Sequence, residues 1–435
     1  GYTGLNFGPY DIITIKYDSI GTEKWIKIYD SGGNEQAITI KLDFCQNIYV
    51  AGGSMGRGIL LKYNAYGDTI WVSKYLGGTG SVYRVMDIDG MSNVYIAGNV
   101  NTTNWMSFIN KYDSSGNILW SNTYNYGYTN DAFSIDVDSA GDGAITGSFL
   151  FTINSFSDCY TVRFTASGNT LWQKYYNGTG NFDDRGQSVV VDNLGNTFIT
   201  GYCWNGSLDY ISIKYNIQGD SVWTKIYNGP ANSYDEAYSI CVDTLGNCYV
   251  TGASIGSGTG DDFTTIKYSP SGVQMWEIRY NGPANGGDEA GSVIIGNNYT
   301  VYVGGESDGI GTGKDLAVVK YDQLMGIIKN VNELPANYKL YQNYPNPFNP
   351  VTKIKFEAPL APPEGGMQIV SLKIYDVLGK EVTTLFSSPW GRIGGAVYEA
   401  DWDGSNYPSG VYFYRLVVSD ASTPLSITKK MVLLK

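Results

Sequence analysis

Residues 209–254 read DYISIKYNIQGDSVWTKIYNGPANSYDEAYSICVDTLGNCYVTGAS, and three quarters of the chain is this stretch rewritten. Its four short apolar runs are ISIKY, VWTKIY, AYSICVD and CYVTG. Each is β-branched and aromatic, and Gly, Asn, Asp or Pro separates it from the next, which predicts four short strands joined by tight turns. The next copy opens at Asp262 (DFTTIKYSPSGVQMWEIRYNGPANGGDEAGSV), and earlier copies open at Asp11 (DIITIKYDSIGTEKWIKIYD) and Asp158 (DCYTVRFTASGNTLWQKYYNG). Four strands in a period near ~50 residues point to a propeller.

Composition alone would not require so strict an internal alignment. An aromatic closes the first run at Tyr17, Tyr63, Tyr112, Phe164, Tyr215, Tyr268 and Tyr321, which predicts seven such strands. In the first six copies a turn Gly follows (Gly21, Gly67, Gly116, Gly168, Gly219, Gly272), then a Trp (Trp25, Trp71, Trp120, Trp172, Trp223, Trp276), then a Tyr. We read the Gly as the positive-φ position of a hairpin turn and the Trp as packing buried between blades. The other half of each unit ends a strand at Asp43, Asp89, Asp138, Asp192 or Asp243 and returns through an aromatic or Ala to Gly52, Gly98, Gly147, Gly201 or Gly252. Strings such as VDNLGN and VDTLGN suit Asx-type turns and offer too few oxygens for a dedicated calcium cage.

The chain has 435 residues, enough for two or three domains, with 37 Tyr, 55 Gly and only 16% charged residues. That is a β-rich, turn-rich, extracellular type of surface. No apolar run is long enough to span a membrane. The sequence opens on GYTG, which matches the last strand of a repeat, without a signal peptide, and so reads as a processed or incomplete product. Net charge is −12; residues 332–435 hold 10 Lys/Arg and 9 Asp/Glu, leaving 19 against 32 in the repeats. An acidic propeller argues against nucleic acid and anionic membrane as partners and tolerates cations, basic proteins or neutral glycans. There is no histidine, which removes Ser-His-Asp, Cys-His and His-ligated metal mechanisms. The cysteines are Cys45, Cys159, Cys203, Cys241 and Cys248; Cys241 and Cys248 are expected to face each other across a hairpin, as a disulfide or as two buried thiols.

The units fall at roughly 36–76, 83–125, 132–177, 187–228, 237–281 and 289–330, after an incomplete first blade. The last lacks a Trp strand, with Met325 where the turn Gly would stand. These units resemble the seven-bladed β-propeller repeat family of bacterial secreted proteins, with a pattern close to D-x-x-T-I-K-Y…G-x-x-x-W…V-D-x-x-G-N-x-Y-V-T-G. The resemblance implies an all-β, seven-bladed β-propeller over residues 1–330, and by itself little about function.

Near residue 330 the texture changes. NVNELPANYKLYQNYPNPFNPVTKIKFEAP is a Pro-rich entry to a new β domain over 331–435, and its short strands suggest an immunoglobulin-like sandwich. YQNYPNPFNPVTKIKF, IYDVLGKEV, WDG, SGVYFYRL and TKKMVLLK, in that order, closely resemble the type A sorting domain of the Bacteroidota type IX secretion system. The related immunoglobulin-like domain of flagellar hook-capping proteins shares parts of this pattern. The main departure is the insertion LAPPEGGMQ at 360–368. The resemblance implies that Pro345, Asn346, Pro347, Asp376, Gly379, Gly410, Tyr412, Lys430 and Lys435 carry the sorting signal, with the type IX machinery as partner. Pro345, Pro347 and Pro350 would also fix a rigid turn without any export role.

No phosphate loop, metal-ligand cluster or nucleophile elbow occurs. The Gly-to-Trp spacing resembles the docking motif of quinoprotein propellers, but the adjacent Cys pair of those enzymes is missing. Sialidase Asp-boxes space Gly and aromatic differently. Carboxylates recur before the first strand of a unit at Glu35, Asp184, Asp235 and Asp288, with Ser81 and Asn130 in other copies. They are read as solvated loop acids or as a ring able to hold calcium; no other cofactor is expected. Asp11, Asp158, Asp209, Asp262 and Asp315 form a second set at the start of a strand. The leading expectation is a secreted, outer-surface structural or interaction protein that binds protein or glycan and is not an enzyme. The alternatives are a secreted carbohydrate-active or quinone-dependent propeller enzyme and a self-assembling subunit of an extracellular filament.

Overall fold

The computed structural model describes residues 2–3, 10–75, 80, 82–101, 104–296, 300–321, 339–358, 369–388, 396–419 and 425–435. All regular elements among them are β-strands. The chain divides into two compact units, residues 1–296 with 301–320, and residues 321–435 with 297–300.

The first unit is seven consecutive antiparallel sheets, one per repeat. The first blade has three strands (Tyr2–Thr3, Asp11–Tyr17, Glu23–Tyr29) and the seventh also three (Asp288–Ile295, Val301–Gly309, Gly313–Tyr321). The five between have four each, such as Asp235–Val242, Cys248–Ile255, Asp261–Tyr268 and Gln274–Tyr280 in the sixth. The fold class is therefore as read: all-β, a seven-bladed propeller followed by a β-sandwich. Met325 and the expected loss of a Trp strand lie outside the described residues.

Blades are joined by a recurring clamp. The Trp25 indole Nε1 and Lys16 Nζ both donate to the Ala65 carbonyl of the next blade, at 3.3 and 2.9 Å. Trp71 with Lys62 on Ser114 O, Trp120 with Lys111 on Ala166 O, and Trp223 with Lys214 on Pro270 O repeat it. Trp172 donates to Ile217 O, with Arg163 standing where the others have Lys. The turn glycine of the receiving blade lies flat on the indole: a Cβ on Gly219 would come 2.8 Å from Trp172, and its φ is +85°. Only glycine satisfies both demands. Among the six repeat indoles Trp223 is buried and Trp25, Trp71, Trp120, Trp172 and Trp276 are half-buried. Burial between blades is thus partial for most of them.

The second hairpin of each blade is closed by its aspartate. Asp243 Oδ1 accepts from the amides of Leu245 and Asn247, and Oδ2 from Asn247 Nδ2 and the Tyr249 hydroxyl. A bulge between Ala237 and Ser239 brings the first strand against Gly252, where a Cβ would come 2.0 Å from Glu236 O. That contact accounts for the recurring glycine. The register also corrects the cysteine reading: Cys241 pairs with Tyr249 and Cys248 with Val242, so the two thiols point to opposite sides of the sheet. Both are free, and burial pushes the Cys241 thiol up to about 12.

The second unit is a sandwich of a three-stranded sheet (Lys339–Leu340, Val351–Ala358, Ala396–Asp403) and a four-stranded one (Glu381–Ser388, Ile369–Tyr375, Gly410–Ser419, Leu425–Leu433). Its core interleaves Ile354, Phe356 and Trp402 of the first with Leu372, Ile374, Tyr414, Leu416, Met431 and Leu433 of the second.

Candidate functional site

The loops that lead into each blade's first strand are held by the predicted carboxylates. Asp184 accepts from the amides of Gly178 (2.6 Å) and Trp204 (3.0 Å), and Asp288 from those of Gly282 (2.6 Å) and Asp308 (3.2 Å). Asp235 accepts from Gly229 (2.6 Å). Glu35 accepts from the amide and hydroxyl of Ser31. Asn130 does the same work for the Tyr126 amide, and Ser81 lies outside the described residues. Each of these side chains is buried, so the expectation of solvated loop acids is corrected, and Asn130 also donates to the Trp105 carbonyl of the preceding blade at 3.1 Å. Burial pushes the Asp184 carboxyl up to about 6, against the opposing pull of its two amide donors. In three blades an Asn pair adds a second lock, Asn177 to Asn181, Asn228 to Asn232 and Asn281 to Asn285, each second Asn at positive φ. These loops are preorganised rather than adaptable.

Among the described residues, Glu35 is the one of the four that joins a group of three carboxylates: oxygens of Asp11, Asp30 and Glu35 all lie within 4.8 Å of one another. Burial first, then the charges of Asp30 and Glu35, hold the Asp11 carboxyl above its usual range. An all-oxygen donor set of this kind suits a hard cation such as calcium. The second acidic set starts strands: Asp209 accepts from Ser207 and Asn205, Asp315 from Thr312, and Asp262 from Arg279 and Thr259.

Beside the loop that leads into the fifth blade lies a group that the repeat pattern did not single out: Phe182 on that loop, Phe156 on the loop between the second and third strands of the fourth blade, and Trp204 at the end of the fifth blade's second strand. The Phe182 ring sits 4.6 Å from Trp204 and 4.9 Å from Phe156. Phe156 and Phe182 are exposed, as are Phe151 and Ile153 of the loop that carries Phe156. Asp184 fixes this group, because its two amide donors, Gly178 and Trp204, flank the aromatic residues. Large rings here, where the sixth and seventh blades carry Ser233 and Gly286 in place of Phe182 and Gly260 and Gly313 in place of Phe156, were the available signal.

In the sandwich, motifs far apart in sequence meet at one end. Asn346 Oδ1 accepts from the Val432 amide, and Phe348 exchanges backbone bonds with Val432 and Leu434. The Gly404 amide donates to Pro350 O, and Lys435 reaches Ser409 Oγ through its amide and Ser405 O through Nζ. Tyr412 is buried and donates to Pro408 O, just before Gly410 opens its strand. Asp376 caps the adjoining turn through the amides of Leu378 and Lys380, with Gly379 at φ +78° and Leu378 exposed. Lys430 pairs with Phe413 in the strand ladder, and Pro345 O accepts from Thr352 and Asn343. The buried Tyr414 hydroxyl links Asn343 N–H to Tyr341 O, a contact no spacing reveals.

Residues 342–433 match the family model of the secretion system C-terminal sorting domain. No curated protein matches the chain. Among solved structures, it is similar to PorZ, an essential bacterial surface component of the type IX secretion system of Porphyromonas gingivalis, at 12% identity and TM-score 0.39, covering 94% of this chain and 62% of that one. The chain thus spans less than two thirds of PorZ. It is also similar to Drosophila Plexin A in complex with Semaphorin 1b (9% identity, TM-score 0.43, 73% and 84% covered). A third likeness is to the β-propeller domain of the Trilobed protease from Pyrococcus furiosus (9%, 0.34, 80% and 97%). The sorting domain places the type IX machinery among the partners. The chain is thus a β-propeller protein that carries a secretion system sorting domain over residues 342–433, the domain that marks proteins for type IX export and attachment at the outer cell surface.

Proposed function

We propose that the propeller is a non-catalytic binding platform displayed at the cell surface, and that its loop end at the fourth and fifth blades takes a neutral glycan. The observation that carries this reading is the Phe156–Phe182–Trp204 cluster, with Phe156 and Phe182 exposed and Trp204 half-buried, beside the loop that Asp184 locks. Aromatic faces on a rigid support stack on sugar rings without ordering cost, and an acidic surface repels polyanions. The absence of histidine and the engagement of the loop carboxylates with their own amides support the non-catalytic part.

The test is binding of the purified chain to cell-surface polysaccharide fractions by affinity electrophoresis. Phe182→Ala with Trp204→Ala is expected to weaken retardation by roughly tenfold, the scale of one or two lost ring contacts. Retardation unchanged by that pair, or binding only to a purified surface protein, overturns the glycan reading. Turnover of a glycan that is abolished by Asp235→Asn or Asp288→Asn overturns the non-catalytic one.

A further inference from the structure

We propose that Asn205 converts itself to aspartate and isoaspartate, and that the buried carboxylates of three other loops hold the matching Asn-Gly pairs inert. The sequence has five Asn-Gly pairs, at Asn177, Asn205, Asn228, Asn281 and Asn285. An Asn followed by Gly can close on itself. The Gly nitrogen loses its proton to solvent base and bonds to the Asn Cγ. The Cγ–Nδ2 bond breaks, and the amide nitrogen takes a proton and leaves as ammonia. Water then opens the succinimide at either carbonyl, so Asn plus water becomes aspartate or isoaspartate plus ammonia. Glycine permits this most readily, because no Cβ crowds the attacking nitrogen.

In three of the pairs both reacting groups are tied. The Gly178, Gly229 and Gly282 amides donate to Asp184, Asp235 and Asp288, each at 2.6 Å. A carboxylate facing the N–H occupies its hydrogen and opposes the loss of that proton. The amides to be attacked are held as well: Asn177 donates to Asn181 at 2.6 Å, Asn228 to Asn232 at 3.1 Å and Asn281 to Asn285 at 2.6 Å. The pair at Asn285 is packed. Oδ2 of Asp308 would lie 2.3 Å from a Cβ built on Gly286, and Asn285 Oδ1 is the acceptor for Asn281.

Asn205 lacks these restraints. With Gly206 and Ser207 it forms the turn between Thr197–Trp204 and Leu208–Tyr215 of the fifth blade, and both Asn205 and Gly206 are exposed. Among the described residues the Gly206 amide has no acceptor, and nothing lies within 4 Å of a Cβ built on this glycine. The Asn205 amide is held only at the long end of hydrogen bonding, Nδ2 3.2 Å from Asp209 Oδ2 and Oδ1 3.3 Å from the Thr179 hydroxyl. The nucleophile is therefore free and the electrophile loosely kept. The product matters because of where it forms. Asn205 follows Trp204, whose ring lies 4.6 Å from Phe182. Conversion places a new carboxylate beside these rings, and the isoaspartate form also lengthens the backbone of the turn through Cβ.

The experiment is peptide mapping by mass spectrometry on the full chain, incubated at mildly alkaline pH in native buffer and in denaturant. In native buffer Asn205 is expected to convert roughly ten- to hundredfold faster than Asn177, Asn228 and Asn281, the scale of one hydrogen bond to a charged group. In denaturant, where no fold restrains them, those three catch up with Asn205. Asp235→Ala frees the Gly229 amide and should speed Asn228 by a similar factor. Asn177 and Asn281 stay slow in that variant, which also shows that the propeller is folded. Should Asp235→Ala unfold the chain and speed all three, Asp288→Ala puts the same question to Asn281. A native chain in which Asn205 converts no faster than the three tied pairs overturns the proposal. So does a folded Asp235→Ala or Asp288→Ala chain whose freed pair stays as slow as before. Glycan binding plays no part in these readouts, so this inference and the proposed function fail separately.

Discussion

Gly168 and Trp120 meet across the boundary between the third and fourth blades, so closely that a Cβ on Gly168 would lie 2.9 Å from the indole. Gly168 also has φ +88°. Gly168→Ala should therefore lose about 1 kcal/mol for the backbone conformation and about 1–3 kcal/mol more for overpacking the indole. Gly21→Ala, with φ +83° and no neighbour within 4 Å among the described residues, should lose only about 1 kcal/mol. Denaturant unfolding of the two variants checks the difference. Equal losses would mean that the indole contact contributes nothing.

A second prediction concerns pH. Asp136 accepts from the Val191 amide of the next blade, and Asp87 likewise accepts from Val137 while pairing with Lys41 at 2.8 Å. Burial first, and then the charge of Asp87, raise the Asp136 carboxyl well above its ordinary 3.8. A carboxyl with a raised folded value favours folding while protonated. Its contribution is full below the ordinary value and is lost as pH climbs from there toward neutrality. Asp136→Asn should flatten that part of the stability profile. A profile of unchanged slope in the variant would show that Asp136 does not titrate across this window.

Removing Asp184 should loosen the aromatic loop without unfolding the propeller. Asp184→Ala leaves the Gly178 and Trp204 amides without their acceptor, at a cost of about 1–3 kcal/mol for each that stays buried. Hydrogen exchange at those two amides should accelerate, while the strand amides of the sixth blade keep their protection. Uniform acceleration would instead report global destabilisation.

In the sandwich, Tyr414→Phe strips the partner from both Asn343 N–H and Tyr341 C=O, an expected loss of about 1–3 kcal/mol. Deleting residues 334–435 in the native host should leave the propeller in the periplasm. Normal surface delivery of the truncated chain would contradict the export role.

The blade count and the turn glycines were legible because each blade repeats one local grammar: strand period, positive-φ turn, Asx cap. The reason for the Trp spacing was only half legible. Packing could be read from the pattern, but the shared acceptor of Trp120 and Lys111, Ala166 O, belongs to the next repeat and no single copy shows it. The cysteine expectation failed on register, since one residue of offset moves Cys248 to the other side of the sheet from Cys241. Glu35, Asp184, Asp235 and Asp288 were found by recurrence, yet their amide partners lie on loops whose path no propensity dictates. Phe156, Phe182 and Trp204 break the repeat instead of keeping it, so a search for sameness passed over them.

The clamp between blades has an evolutionary consequence. Every part of it comes from two adjacent repeats: the Trp and Lys from one, the glycine turn and carbonyl from the next. A duplication of about fifty residues, wherever it begins within the repeat, therefore inserts a blade that already fits both neighbours. Blade number in such a lineage can drift by unequal crossing-over while the loops diverge freely, and the ligand can change without any strand being redesigned.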